Sequence, residues 1–397
     1  MQPLRGVTVV SLEHAIAAPL ATRHLADLGA RVIKIERPGV GDFARGYDQR
    51  VRGLASHFVW VNRSKESLTL DLKHPSAIAL LRRLIVEQAD VLVQNLAPGA
   101  ATRLGLGYDG LKTDCPRLIV CDISGYGDDT AHPGPCRDKK AYDLLIQSES
   151  GFVSLTGTPD EPCKAGLPVA DIAAGMYAYS SILAALLQRQ ADGAGRRIDI
   201  SMLEALGEWM GYPLYYSFEG APPPPRAGAA HATIYPYGPF PTGDGKTVML
   251  GLQNEREWQA FCGQVLRQGS LAQDPRFAGA AQRSQHREPL RDLIVRAFST
   301  LTAAEVTQRL EDAQIANAEL KDMAGLWAHP QLAARQRWRQ VDTPAGVVPT
   351  LLPPGSWDAG DPRLDAVPAL GQHTAAILAE LGLGAAEIRA LSEVQAI

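Results

Sequence analysis

The first residues of the chain alternate between strand-like and helix-like patterns. Residues 7–12 (VTVVSL) and 30–35 (ARVIKI) are rich in β-branched residues, as buried parallel strands are. Between them lies a helix-like stretch that ends at Asp27-Leu28-Gly29, and a glycine just past its last turn commonly ends a helix. A strand–helix–strand unit of about 30 residues constrains the chain to the α/β class.

The alternation continues along the chain. Residues 91–94, 117–123 and 197–200 read as strands, and residues 74–89 and 173–189 read as helices. Short links between such elements predict an open, mostly parallel sheet with Rossmann-like architecture. Four consecutive prolines, residues 222–225, predict a stiff spacer, and a hairpin is expected to follow at 238–250. We therefore expect a large domain over 1–221, a smaller α+β domain over 226–325, and a return to the large domain over 326–397.

The turn after the first strand argues against a dinucleotide cofactor. A nicotinamide site needs G-x-G-x-x-G there, so that the backbone can approach the pyrophosphate. Residues 13–19 read EHAIAAP and contain no glycine. The architecture is predicted without NAD, although small residues leave room for a flat ligand.

Composition excludes several classes of partner. Thirty-nine Lys and Arg against 43 Asp and Glu give a net charge of −4, which disfavours sequence-blind binding of nucleic acid. No run of about 18 apolar residues lacks polar breaks, so we expect no membrane partner. The five cysteines lack zinc-type spacing, and we predict no metal site. The first residues do not resemble a signal peptide, and we expect a cytoplasmic protein.

Several motifs in order resemble the class III CoA-transferases, the family of formyl-CoA transferase and carnitine CoA-transferase. They are LRGV at 4–7, LGARVIKIERP at 28–38, NRSK at 62–65, NLAPG at 95–99, GLPVADIAAGM at 166–176 and LGQHT at 370–374. The resemblance implies a Rossmann-like large domain built from both chain ends, with an inserted smaller domain. It also implies a homodimer whose two subunits interlock like links of a chain.

The resemblance places the catalytic aspartate of the family on Asp171. This residue precedes Ala173, Ala174 and Gly175, whose small side chains leave room for a thioester above the carboxylate. The residues alone also permit an ordinary helix N-cap at this position. The implied reaction is covalent, through an aspartyl anhydride and then an aspartyl-CoA thioester.

The resemblance implies coenzyme A as a substrate and no permanently bound cofactor. It places His14 at the thiol end, where the imidazole would donate a hydrogen bond to a developing oxyanion. Without the resemblance, each cation assigned to CoA binding would more often be a solvated surface charge than a ligand-binding residue. The residues assigned to CoA binding are Ala15, Arg37, Leu70, Lys73, Asn95, Arg103, Leu104, Lys140 and Tyr142.

The acyl groups are predicted from a second set of side chains. A dicarboxylic acid would pair its second carboxylate with cations. The candidates are Tyr47, His231, Arg45, Arg50 and Arg52. We expect succinyl-CoA as donor and a C4 or C5 dicarboxylate such as itaconate, mesaconate, malate or citramalate as acceptor, with oxalate or carnitine-like acids left open.

Two other functions remain open at this point. An α-methylacyl-CoA racemase would share the fold, but racemases of this superfamily typically carry a Gly-His-Asp signature where this chain has Lys140-Ala141-Tyr142-Asp143. A non-catalytic CoA-binding protein is the other alternative, and the presence of Asp171 with small residues behind it argues against it.

Overall fold

The computed structural model of the chain describes residues 2–355 and 361–397. It divides into two compact units. Unit 1 comprises Met1–Ser150, Ala165–Gly211 and Leu332–Ile397, and unit 2 comprises Gly151–Lys164 and Tyr212–Gln331. Unit 2 thus begins before the proline run and takes in a segment, Gly151–Lys164, that the sequence analysis assigned to the large domain.

The strands predicted from the sequence are present, together with four that were not predicted, at 65–69, 316–319, 338–341 and 348–351. In chain order they are β1 Thr8–Leu12, β2 Arg31–Glu36, β3 Lys65–Thr69, β4 Val91–Gln94, β5 Ile119–Ser124, β6 Arg197–Ser201, β7 Tyr237–Pro241, β8 Thr247–Gly251, β9 Ala316–Glu319, β10 Trp338–Val341 and β11 Val348–Leu351.

The helices of the first half include several short ones that the sequence pattern did not separate. They are α1 Ala17–Asp27, α2 Ser56–Val61, α3 Pro75–Gln88, α4 Ala100–Arg103, α5 Tyr108–Leu111, α6 Asp143–Glu149, α7 Phe152–Leu155, α8 Val169–Asp192, α9 Met202–Trp209 and α10 Gly211–Tyr216.

The second half is mostly helical. Its helices are α11 Glu255–Ala260, α12 Ala280–Gln285, α13 Arg287–Phe298, α14 Ala303–Asp312, α15 Met323–Trp327, α16 Pro330–Ala334, α17 Thr374–Glu380 and α18 Ala385–Glu393. Short 3₁₀ turns span Phe43–Gly46, Phe218–Gly220 and Gly269–Gln273, and a π turn spans Phe261–Val265.

The main sheet of unit 1 has the strand order β3-β2-β1-β4-β5-β6, with every neighbouring pair parallel. The order reverses between β1 and β4, where Val9 pairs with Val91 and Leu12 with Gln94. Connections leave these two strands in opposite directions, so a crevice opens beyond their carboxyl ends. Ligands of open α/β sheets bind at this switch point, and it is where the candidate residues of the first turn lie.

Both faces of the sheet are covered. One face packs against α3 in a core that includes Val10, Ile33 and Leu68, and helix α17 packs into the same core. Helix α1 lies on the opposite face, where the Lys65 ammonium donates to the carbonyl of Pro19. Helix α8 packs on α1 and against β5 and β6. The C-terminal return predicted from the sequence therefore completes the large unit rather than forming a separate one.

Unit 2 has its own core. Strands β7, β8 and β9 form an antiparallel sheet, with the predicted hairpin between β7 and β8. Trp258, Phe261, Phe277 and Phe298 are fully buried at the centre of this unit. A separate aromatic core explains why the inserted segment forms a compact unit.

Helix α8 is long and apolar enough to cross a membrane by length and composition alone. Half of its most apolar stretch is buried within the protein. The core helix of a globular protein can have the same length and composition. Packing on α1 buries apolar side chains of α8 inside unit 1. Absence of a membrane partner stays a prediction.

Candidate active site

The turn after β1 is held in place by β4. The backbone N–H of His14 donates to the Asn95 side-chain oxygen at 2.9 Å, and the Asn95 amide donates back to the His14 carbonyl at 2.9 Å. Ala15 adopts a left-handed conformation, with φ of 60°, which is uncommon for a residue with a side chain. Its N–H donates to Asp42 at 3.2 Å. Asn95, assigned to CoA binding, therefore fixes the backbone of the turn at the switch point.

A buried cluster of charges supports this turn from below. The Lys34 ammonium lies 2.8 Å from Asp42 and 3.4 Å from Glu13, and the Lys65 ammonium lies 2.7 Å from Glu13. All four side chains are fully buried. Burial would raise the pKa of Glu13, but Lys65 and Lys34 hold it below its usual value. Burial, with the charge of Lys34, lowers the pKa of Lys65 to about 7. Paired charges satisfy one another here, where an isolated one would be very costly.

Helix α8 begins earlier than the sequence predicted, and this changes the role of Asp171. The residue before the helix is Pro168, whose side chain cannot cap it. Asp171 is the third residue inside the first turn, so the N-cap interpretation is wrong. The carboxylate of Asp143 takes over the capping role and accepts from the N–H groups of Ala170 at 2.8 Å and Asp171 at 3.4 Å. The Asp171 carboxylate is thereby left free of a capping bond.

The Asp171 carboxyl group is half-buried and has an unusual pKa. Within the described residues it forms no salt bridge and no side-chain hydrogen bond. Burial, and then the negative charge of Asp143, raise its pKa to about 7. A carboxylate with a raised pKa is a stronger base and a stronger nucleophile than an ordinary one.

Close packing of two helices brings Asp171 beside the first turn. Gly175 lies one helical turn after Asp171, on the same face of α8. A Cβ at Gly175 would lie 2.7 Å from the carbonyl oxygen of Ala17, at the start of α1. Only glycine lets the backbones approach this closely. The start of α8 is therefore held against the turn that carries His14.

Four aromatic rings form a continuous row beside this turn. His14 stacks on Phe43 at 5.1 Å, Phe43 lies 5.8 Å from Tyr47, and His57 meets Tyr47 edge-on at 5.4 Å between ring centroids. We call these residues the ring row. Burial, and then the charges of Asp42 and Asp171, raise the pKa of Tyr47, so this ring lies within electrostatic reach of Asp171.

A pocket of about 410 Å³ opens beside His14. Three residues assigned to CoA binding line it, namely Arg37, Leu70 and Lys73. Its floor is formed by the ends of β1 and β2, through Leu12 and Ile35. The structure thus brings two cations and an apolar surface together at the switch point, a combination suited to a phosphorylated nucleotide.

Four other predicted CoA-binding residues do not line this pocket, although one of them, Tyr142, lies within electrostatic reach of Tyr47. Arg103 is exposed at the end of α4, and Leu104 packs against the hydrophobic core. Lys140 is exposed, and Tyr142 is exposed at the residue before α6. Burial of Leu104 against the core gives that side chain a structural role.

The side chains predicted to bind the second carboxylate of the substrate differ in whether they are already bound within the protein. The Arg45 guanidinium holds Glu36 with two hydrogen bonds of 2.8 and 2.7 Å and lies over the ring of Phe58, so it is engaged within the protein. Arg50 and Arg52 are exposed on the loop before α2. His231 belongs to unit 2, where its Nδ1 accepts from two backbone N–H groups and its ring stacks on Tyr237.

Sequence reasoning missed the residues that support the turn. Asp42 and His57 sit in loops or at a helix start with no local motif to single them out. Lys34 carried a signal, since a lysine inside an otherwise apolar strand must find a buried partner. Among the described residues, no group of three or more His, Cys, Asp and Glu side chains is arranged to hold a metal ion.

Comparison with known proteins places the chain among the CoA-transferases. The model of CoA-transferase family III matches residues 4–374, and the chain belongs to that family. The succinate–glutarate CoA-transferase of Agrobacterium fabrum is 34% identical over 96% of this chain and 96% of its own length. The human succinyl-CoA:glutarate CoA-transferase is 30% identical over 96% of this chain and 86% of its own length.

The fold of this chain is also similar to that of a solved structure. A CaiB/BaiF family protein from Brucella suis superimposes with a TM-score of 0.83 at 33% identity, covering 96% of this chain and 99% of that one. The predicted class of enzyme and the α/β fold with a parallel six-stranded sheet are confirmed. Enzymes of this class use CoA thioesters as substrates.

Proposed function

We propose that this enzyme transfers CoA from succinyl-CoA to a C4 or C5 dicarboxylate, with Asp171 as the covalent carrier. The observation that carries the proposal is the condition of the Asp171 carboxylate. It is half-buried, unpaired and raised in pKa to about 7, beside a crevice at the switch point of the sheet. Relatives named for succinate, glutarate, citramalate and mesaconate support the choice of acids.

The first half-reaction loads CoA onto the enzyme. The Asp171 carboxylate attacks the thioester carbonyl of succinyl-CoA, the C–S bond breaks, and CoA leaves as a thiolate. The thiolate then attacks the Asp171 carbonyl of the mixed anhydride, and succinate leaves as the carboxylate. The product is an aspartyl-CoA thioester, and no proton is gained or lost.

The second half-reaction runs in the opposite direction with the new acid. The acceptor carboxylate attacks the aspartyl thioester and expels the CoA thiolate, giving a second anhydride. The thiolate attacks the acceptor carbonyl, which forms the new acyl-CoA and restores Asp171. Because water would hydrolyse each intermediate, the half-buried position of Asp171 favours transfer.

His14 would stabilise charge during these steps. Its Nδ1 lies 3.7 Å from Asp42 and is buried, while the imidazole as a whole is 31% exposed. His14 lines the pocket, and the edge of its ring opposite the buried Nδ1 carries Nε2. An N–H at this edge would donate to the thioester oxyanion.

Arg37 and Lys73 would hold the phosphates of CoA in the pocket beside His14. The interlocked homodimer is also part of the proposal. Bulky apolar residues are exposed between residues 209 and 218, including Trp209, Leu214 and Phe218. Exposed apolar surface of this kind is typical of protein interfaces. Sedimentation equilibrium would give the number of subunits directly.

A panel of acids tests the reaction. Wild-type enzyme with succinyl-CoA should form the CoA thioester of at least one of glutarate, mesaconate, itaconate, malate and citramalate, detected by mass spectrometry. Oxalate and carnitine serve as comparison acids. Asp171→Ala should form no product yet retain CoA binding, whereas Asp192→Ala, at the far end of α8, should stay active. Full transfer by Asp171→Ala would refute the role of Asp171 as covalent carrier. Transfer only to oxalate or carnitine would refute a C4 or C5 dicarboxylate as the acceptor.

A further inference from the structure

His57 ends the ring row in a state that leaves one edge of its imidazole open. Its Nδ1 is buried without a hydrogen-bond partner and lies 3.7 Å from the Asp48 carboxylate. The side chain is nevertheless 41% exposed. The accessible part of the ring is therefore the opposite edge, which carries Nε2.

Asp48 fixes the start of helix α2, which carries His57. One oxygen of Asp48 accepts from the N–H groups of Arg50 and Ser56 at 2.9 and 3.0 Å, and the other accepts from the Ser56 hydroxyl at 2.7 Å. The carboxylate thus anchors the start of α2, and His57 is the next residue of that helix. Because Nδ1 has no hydrogen-bond partner, the single N–H of a neutral ring can lie at the open Nε2 edge.

The spacing along the ring row fits a dicarboxylic acid. Tyr47 lies within electrostatic reach of Asp171, where the reacting carboxylate must bind, and His57 is the next ring, 5.4 Å away. The two carboxyl carbons of an extended C4 or C5 diacid are roughly 4–5 Å apart, given C–C bonds near 1.5 Å. An acid that reacts beside Tyr47 would place its second carboxylate at the open edge of His57.

We propose that His57, held by Asp48, recognises the distal carboxylate of the acyl group and sets the preference for dicarboxylates over monocarboxylates. This inference rests on the proposed function and adds a specificity residue to it. Arg45, whose guanidinium is bound to Glu36, does not compete for this role. On binding, the N–H at Nε2 would donate to the substrate carboxylate, and the charge on this acceptor strengthens the hydrogen bond.

Two variants separate the ring from its N–H groups. His57→Phe keeps an aromatic edge against Tyr47 but removes both nitrogens. His57→Gln keeps an N–H donor near the position of Nε2. His132→Phe replaces another histidine that is paired with an aspartate, outside the ring row, and serves as the control. Thermal unfolding of each variant would confirm that the fold is retained.

The measurement is kcat/KM for glutarate and for pentanoate with succinyl-CoA as donor. In a double-displacement reaction this ratio reports only the acceptor half-reaction, so effects on the donor cancel. His57→Phe should lower kcat/KM for glutarate roughly 10- to 100-fold and change that for pentanoate by less than about threefold, with His57→Gln between wild type and His57→Phe. Where pentanoate turns over too slowly to time, its competitive inhibition constant replaces kcat/KM.

Two results would overturn the inference. Equal losses for both acids would assign His57 a structural role. An unchanged preference for glutarate in His57→Phe would move recognition to other cations, such as Arg50 or Arg52. Where glutarate is not an acceptor, the diacid of the panel that accepts CoA takes its place. If the wild-type enzyme transfers CoA to no diacid of the panel, the proposed acceptor class fails instead, so the two failures are distinguishable.

Discussion

The carboxylate of Asp143 accepts a hydrogen bond from the backbone N–H of Asp171 and also repels the negative charge on the Asp171 side chain. The first effect fixes the start of α8, and the second, added to burial, raises the pKa of the proposed nucleophile to about 7. One side chain thus positions Asp171 and shifts its pKa. Because Asp143 caps the helix, the Asp171 carboxylate does not have to.

The pH profile of the reaction should report this tuning. Because Asp171 must be ionised to attack, kcat/KM for succinyl-CoA should rise with pH through a midpoint near 7. Asp143→Asn removes the like charge, which lowers the pKa of Asp171 and moves the midpoint to lower pH. Asp192→Asn removes a charge from the far end of the same helix and should leave the midpoint in place. A midpoint that rises in Asp143→Asn would contradict this account.

Ionised Asp171 should cost stability, since its pKa is higher in the folded than in the unfolded chain. The unfolded chain ionises near pH 4 and the folded one near 7, so the penalty grows between these values and is complete above pH 7. Asp171→Asn should therefore be more stable than wild type at pH 8, by about 2 kcal/mol after allowance for partial exposure. Urea unfolding at pH 8 and at pH 5 measures this, and an advantage that shrinks at the higher pH would refute it.

The buried charge cluster predicts a large effect from removing one partner. Lys34→Met leaves Asp42 and Glu13 buried with fewer cations, and should destabilise the fold by about 3–5 kcal/mol. Lys112→Met breaks an exposed pair with Asp109, which solvent screens, so the expected loss of stability is small. Free energies of unfolding in denaturant compare the two variants. Similar small losses in both would mean that the cluster adds little.

Two glycine-to-alanine variants test the contact between α1 and α8. Gly175→Ala places a methyl group 2.7 Å from the Ala17 carbonyl oxygen and should destabilise the protein by about 1–3 kcal/mol. It should also lower kcat, because Asp171 moves away from the first turn. Gly207→Ala lies in α9 with open space around its Cβ, so it should stabilise by up to about 1 kcal/mol. Equal effects at both sites would show that close packing at Gly175 is unimportant.

The pocket beside His14 predicts where CoA affinity is lost. Arg37→Gln and Lys73→Gln each remove a cation from the pocket, and each should raise KM for succinyl-CoA roughly tenfold with little change in kcat. Arg83→Gln, which only breaks an exposed pair with Glu87, is the control. Steady-state kinetics would decide, and a fall in kcat without a change in KM would place CoA elsewhere.

Much of the fold was predictable because its signals are local. The runs at 7–12 and 30–35 became β1 and β2, and the helix before Gly29 became α1. The cap of α9 is local as well, since the Ser201 hydroxyl accepts from the N–H of Glu204, three residues later. The boundary of unit 2 was less predictable, because Gly151–Lys164 joins it through contacts distant in sequence.

In the candidate site, too, some features could be predicted from the sequence and others depend on distant contacts. The order of the motifs determined the family, and the residue types at 37, 73 and 171 determined the chemistry they can offer. The sequence could not tell that Asp171 lies inside the first turn of α8 instead of capping it, because the group that caps α8 is Asp143, 28 residues earlier in the chain.

The sequence by itself determined the parallel sheet, the absence of a glycine-rich phosphate turn, and which carboxyl group is the candidate nucleophile. Only the tertiary structure decided the pKa of that group, because it depends on burial and on Asp143. Likewise, only the fold decided that Lys34 and Lys65 hold up the first turn and that His57 ends the ring row. Periodicity and motifs act between neighbours in the chain, whereas electrostatics and packing act between neighbours in space.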